Sequence, residues 1–167
     1  MLMTKENSSE ILRKELKNYR TYAILKRRSE ERIKELKNDS KNVRSPRTDR
    51  VGDNTSTYEF DLLHYVNLID KEKEKEKAYS EMQAWIIEAI SGIENRSLLP
   101  DIVRIFFRGE NREKVAEERE VREDLLNRQL LKEFKKAVTP EQIKKYNDIK
   151  RKIERIWGQE ELLRLNR

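Results

Sequence analysis

Residues 108–134 read RGENREKVAEEREVREDLLNRQLLKEF, and the placing of their few apolar side chains decides the fold. Val115 and Ala116 give a first short helix a small face to bury. Val121 falls in a turn. Leu126, Leu130 and Phe134, at four-residue steps, give a second helix one apolar edge. Two short helices of this kind make a helix-turn-helix. The second helix is pinned from behind, and its far face is left free to enter a groove. This spacing predicts a compact unit over residues 95–138. Two residues depart from the usual pattern: Glu120 stands at the turn position usually given to glycine, and Arg119 replaces the aliphatic before it.

The outward face of the second helix is expected to carry Arg122, Glu123, Asn127, Arg128, Lys132 and Lys135. These residue types suit base edges. Arginine pairs bidentately with guanine, asparagine with adenine, and a carboxylate accepts from cytosine. Arg112 and Lys114, at the start of the preceding helix, suit phosphate contacts. The eight residues together form a candidate double-stranded DNA site.

Outward from this unit the chain reads as long helices. Leu12, Leu16, Tyr19, Ala23, Ile33 and Leu36 recur at helical spacing, with Lys26 and Glu30 interrupting the stripe. A helix is therefore expected from about Ser9 to Asn38, packed on a partner surface and not forming an unbroken zipper. Residues 39–57 are polar and basic, a linker in which Lys41, Arg44, Arg47 and Arg50 could lie along a phosphate backbone. A central helix over 58–94 should start at a capping box opened by Ser56. Leu62, Val66 and Ile69 form its first stripe, and Met82, Ile86, Ala89, Ile90 and Ile93 its second. The alternating run Lys71–Lys77 between them reads as an exposed spacer. A short apolar helix should run from Leu98 to Phe107 and stop at Gly109. Thr139-Pro140-Glu141-Gln142 starts a last helix, expected to break at Gly158. The chain thus divides into 1–38, 39–57, 58–94, 95–138 and an extension over 139–167.

Composition agrees with an all-α fold of long amphipathic helices around one compact unit. Hydrophobic residues are 35% of the 167 and charged residues 42%, too little apolar material for a thick core. Four glycines and three prolines are too few for the turns of a sandwich or barrel. Without cysteine there is no disulfide or thiolate chemistry, and His64 alone builds no zinc site. The carboxylates sit among lysines with nothing to desolvate them, and no glycine-rich loop follows a strand. No enzyme, metal, cofactor or small-molecule substrate is therefore expected. With no run long enough to span a membrane and no secretory start, the chain is expected in the cytoplasm. The net charge of +6 is unevenly placed: residues 13–50 hold 14 Lys and Arg against 6 Asp and Glu, residues 58–94 only 4 against 9. A basic amino-terminal third suits a polyanion, although a solvated helix face is the commoner origin of such bias.

The order of elements resembles the phage late-gene transcription regulators of the RinA and ArpU type, whose terminal domain is similar to region 4 of sigma factors. Residues 90–109, ISGIENRSLLPDIVRIFFRG, look like the helix before that family's motif. EKVAEE at 113–118 looks like the first motif helix, and EDLLNRQL at 123–130 like the start of the recognition helix. The resemblance covers residues 10–137 in layout and 90–137 in residue pattern. It implies binding upstream of late operons in a bacterial host, transcription activation with RNA polymerase as a further partner, and Arg122, Asn127 and Arg128 at the bases. The helix after Thr139 extends past the family's motif and suits a homodimer or higher homo-oligomer. The alternative is a helical oligomeric adaptor, such as a small DNA-packaging subunit like that of terminase.

Overall fold

The computed structural model describes residues 5–42 and 54–165, with side chains placed for 8–42 and 61–160. The fold is all-α, with no strand among the described residues. The helices are α1 (Lys5–Lys41), α2 (Asn54–Ser91), the composite α3, α4 (Arg112–Glu118), α5 (Glu123–Ala137) and α6 (Pro140–Leu165). α3 joins a 3-10 turn (Arg96–Leu98), an α turn (Leu99–Ile102) and a π turn (Val103–Phe107). α1 and α2 extend beyond the expected bounds at their linker ends, leaving less of 39–57 between them. Arg44, Arg47 and Arg50 lie outside the described residues.

α1 and α2 form a long antiparallel hairpin. On α1 the residues turned inward are Leu12, Glu15, Tyr19, Tyr22, Lys26, Ser29, Ile33 and Leu36, all buried or half-buried. On α2 they are Tyr65, Leu68, Glu72, Lys75, Tyr79, Met82, Ile86 and Ala89, with Ile93 just beyond. Both series alternate steps of three and four, the period of a left-handed coiled coil. The apolar stripe is interrupted at Lys26 as expected, but Lys26 is half-buried, so the inward series runs on through that position. Its middle is polar, and polar partners let it close. Tyr22 donates to Glu15 at 2.6 Å and stacks 6.2 Å from Tyr79, while Lys75 bonds Glu72 at 3.1 Å. The run Lys71–Lys77 is accordingly no mere exposed spacer, since Glu72, Lys75 and Glu76 are half-buried and Lys75 also pairs with Glu160 of α6.

α6 lies along α2. Trp85 Nε1 donates to the Gln142 carbonyl at 2.8 Å, and Trp157 Nε1 donates to the Tyr79 hydroxyl at 3.0 Å. Its start has the expected reciprocal cap: Thr139 N–H donates to Gln142 Oε1 and Gln142 N–H to Thr139 Oγ1. The expected break at Gly158 does not occur, and α6 continues to Leu165. Contacts on either side of the glycine carry the helix through, from Trp157 to Tyr79 and from Glu160 to Lys75.

The remaining helices gather at the open end of the hairpin. Leu126, Leu130 and Phe134 are buried there with Leu12, Leu16, Leu98, Ile102, Ile105, Val115 and Ala116. α3 supplies its two aromatics to opposite neighbours. Phe107 meets Tyr19 edge-on at 4.7 Å and Phe106 meets Phe134 at 6.1 Å. Its last turn widens, and the chain leaves it at Gly109 with φ +68°, a left-handed exit that suits glycine.

Candidate nucleic-acid interface

The geometry at 112–137 is that of two helices joined by a tight four-residue turn. Asn111 caps α4 by accepting from the Glu113 N–H at 3.0 Å. α4 ends in paired backbone bonds, Val121 N–H to the Ala116 carbonyl and Glu120 N–H to the Glu117 carbonyl, both 3.0 Å. This pairing requires a left-handed residue between them, and Glu120 takes that role at φ +58°. A non-glycine residue there costs about 1–2 kcal/mol. Glu120→Gly is therefore expected to stabilise the protein by ~1 kcal/mol. In a thermal melt this raises Tm by roughly 2–4 °C for a chain of this size. A lowered Tm would contradict the left-handed turn.

Arg119 has an equally local reason. Its Nε lies 2.8 Å from Asp101 Oδ2 as an ion pair, not an aligned hydrogen bond, and its guanidinium also donates to the Ser97 carbonyl. Asp101 is buried, which pushes its carboxyl above the usual range, and Arg119 and Arg104 oppose that shift. An aliphatic at 119 could not compensate this charge. Arg104 adds a second tie, its Nε donating to Glu110 at 2.7 Å while its other end pairs with Glu118. The hydrogen bond from Arg104 holds the Glu110 carboxyl below its usual range. Together these bonds fix α4 and the turn on α3.

α5 is amphipathic about a well-defined edge. Leu126, Leu130, Phe134 and Ala137 are buried against α1, α2 and α3. At ~100° per residue, Arg128, Lys132 and Lys135 lie on the opposite side, and all three are exposed. None has a carboxylate within ion-pair distance among the described residues. Lys136 and Leu125 flank them, also exposed. Arg122, just before α5, is exposed and pairs with Asp124 at 3.1 Å, and Lys114 is exposed on α4.

Two expected members of this face are placed elsewhere. Asn127 follows Leu126 directly, only ~100° from the buried edge. It is half-buried and accepts from Arg112 at 2.9 Å. Glu123 precedes Leu126 by three residues, ~60° off the same edge. It lines a groove of about 460 Å³ with Lys17, Arg20 and Arg112. The expectation of six side chains on one outward face is corrected on this point. Arg112 is itself half-buried, and burial, followed by repulsion from Arg13, lowers its pKa. Its bond to Asn127 makes it a strut between α4 and α5.

Lys136 and Leu125 were not singled out in the sequence, although stepping around α5 from Leu126 would have found both. Among the described residues no group of three His, Cys, Asp or Glu is placed to hold a metal, and no helix is long and apolar enough to cross a membrane. No protein-family model matches the chain, and no curated protein or solved structure matches it either.

Proposed function

We propose that the protein is a sequence-specific DNA-binding regulator of transcription, of the kind the phage late-gene regulators exemplify, with α5 entering the major groove. One observation carries this reading. α5 is held from behind by Leu126, Leu130 and Phe134 while Arg128, Lys132 and Lys135 stand free on its far side. The turn before it has the required left-handed residue, and Arg119 and Arg104 keep it rigid. Arg128 reads a base, and Arg122, Lys114, Lys132 and Lys135 hold phosphates. Asn127 acts through Arg112, setting the angle between the helices. The protein works as a dimer in the bacterial cytoplasm beside RNA polymerase.

Selection from a random duplex pool, followed by anisotropy titration, tests this. Arg128→Ala is expected to cost ~1–3 kcal/mol and to relax preference at one base pair. Lys132→Ala is expected to weaken all sequences alike and to flatten the salt dependence by ~0.9 log unit per log unit of salt. No duplex binding at low salt removes the reading.

A second reading, a helical assembly adaptor, is favoured by Leu63 and Val66, apolar side chains on α2 that remain 57% and 51% exposed. Mass measurement in solution separates the two. A dimer with a discrete DNA footprint supports the regulator, and a ring supports the adaptor.

A further inference from the structure

The coiled-coil packing of α1 sorts its many cations into lines. Because the seam repeats every seven residues, any other heptad position forms a line along the outside of the hairpin. One such position is occupied by Arg13, Arg20, Arg27, Lys34 and Lys41, every member basic. Over 28 residues of helix the line is ~42 Å long, with ~10.5 Å between charges. Arg20, Arg27, Lys34 and Lys41 are exposed, and no carboxylate lies within ion-pair distance of them among the described residues. Arg13 is half-buried, and among the described residues its ion pair is with Glu10, at 3.9 Å. Glu30 and Glu31 fall between Arg27 and Lys34 in sequence without reaching either.

We infer that this line is a phosphate rail, a second contact that holds the DNA backbone flanking the segment read by α5. The inference rests on the DNA-binding reading and adds a part of the partner that α5 does not touch. Continuity is the main argument. The line begins beside the helix-turn-helix, where Arg13 lies close enough to Arg112 to lower its pKa. There Lys17 and Arg20 share one groove with Arg112 and Glu123. Because α1 packs behind α5, a duplex seated on the far side of α5 bends towards α1 to reach the line, and a rail ~42 Å long matches about twelve base pairs at ~3.4 Å each. Charge complementarity selects the occupant. The outer face of α1 has one large exposed apolar residue, Ile24, too little for a helix that buries an apolar face in a bilayer. Phosphate contacts of this type carry no sequence information, so the rail raises affinity and leaves base preference to α5.

The test uses the full chain and random-sequence duplexes of about 14 and about 40 base pairs, lengths chosen against the counterion-release slope. Anisotropy titrations across a salt series compare the wild type with the triple variant Arg20→Gln, Arg27→Gln, Lys34→Gln, whose helical fold is checked by circular dichroism. For the wild type, the long duplex is expected to show the steeper salt dependence, by about 2–3 log units per log unit of salt for three phosphates. The triple variant is expected to lose that difference and to keep the short-duplex affinity. Equal slopes for both lengths in the wild type, or an undiminished difference in the variant, overturn the rail. Binding to anionic phosphatidylserine vesicles that the variant loses, with its DNA slopes unchanged, would reassign the line to lipid and overturn it too. The two readings fail differently. Length dependence without sequence preference leaves the rail and removes the α5 reading; preference without length dependence does the reverse.

Discussion

Phe134→Ala is expected to destabilise the protein by about 3–5 kcal/mol, the range for truncating a buried aromatic that neighbours cannot collapse to replace. Phe134 is 1% exposed and lies on the inner edge of α5, with the Phe106 ring 6.1 Å away. Both helix-turn-helix and hairpin border the hole that its loss would leave. In a thermal melt the change corresponds to a fall in Tm of roughly 6–20 °C. Two companion variants make the result diagnostic of orientation. Phe134→Leu keeps most of the volume and is expected to cost under ~1.5 kcal/mol. Lys135→Ala, one residue on and exposed, is expected to stay within ~0.5 kcal/mol of the wild type. If Lys135→Ala cost more than Phe134→Ala, α5 would be turned the other way, and its basic face could not be the one that meets DNA.

That orientation could be read from residue spacing alone, since Leu126, Leu130 and Phe134 leave one choice of buried edge. The turn was legible in outline, but the reasons for its two odd residues were not. Arg119 looks misplaced until its partner Asp101 is seen, and that partner lies in another helix. The α1 seam was hidden for a related reason. Glu15, Lys26 and Ser29 break a hydrophobic stripe when sequence is scored by polarity, although all three sit at seam positions. What makes Glu15 acceptable inside is two hydroxyls, and one of them, on Tyr146, lies 131 residues away. Periodicity reports which side of a helix is buried when that side is apolar. It is silent where burial depends on a distant polar partner. Asn127 illustrates the same limit, because an error of one residue step, ~100°, in judging a face is enough to move a side chain from solvent to a strut.

The Glu15 cluster also sets the response to alkali. Glu15 is fully buried and accepts from Tyr22 at 2.6 Å and from Tyr146 at 2.9 Å, with Lys150 Nζ at 3.8 Å. Burial, reinforced by the carboxylate, pushes both tyrosines well above their ordinary value. Tyr79 is raised as well, mainly by burial, although the bond from Trp157 opposes the shift. An unfolded tyrosine releases its proton near pH ~10 while Tyr22 and Tyr146 keep theirs in the fold. Their contribution is therefore complete below pH ~10 and is lost as pH rises above it, by ~1.4 kcal/mol per pH unit for each tyrosine. At pH ~11 Tyr22 and Tyr146 together remove about 3 kcal/mol, a sizeable part of the ~5–15 kcal/mol that holds a typical domain together. Urea unfolding between pH 9 and pH 11 is expected to show this steep decline. Tyr22→Phe should begin lower at pH 8, because Glu15 loses a donor at a cost of ~1–3 kcal/mol. Its decline should then be shallower by the one proton that Tyr22 contributes, about half of what Tyr22 and Tyr146 give together. A variant that falls as steeply as the wild type would mean that Tyr22 ionises in the folded chain as freely as in water, and the hairpin could not then be closed around Glu15.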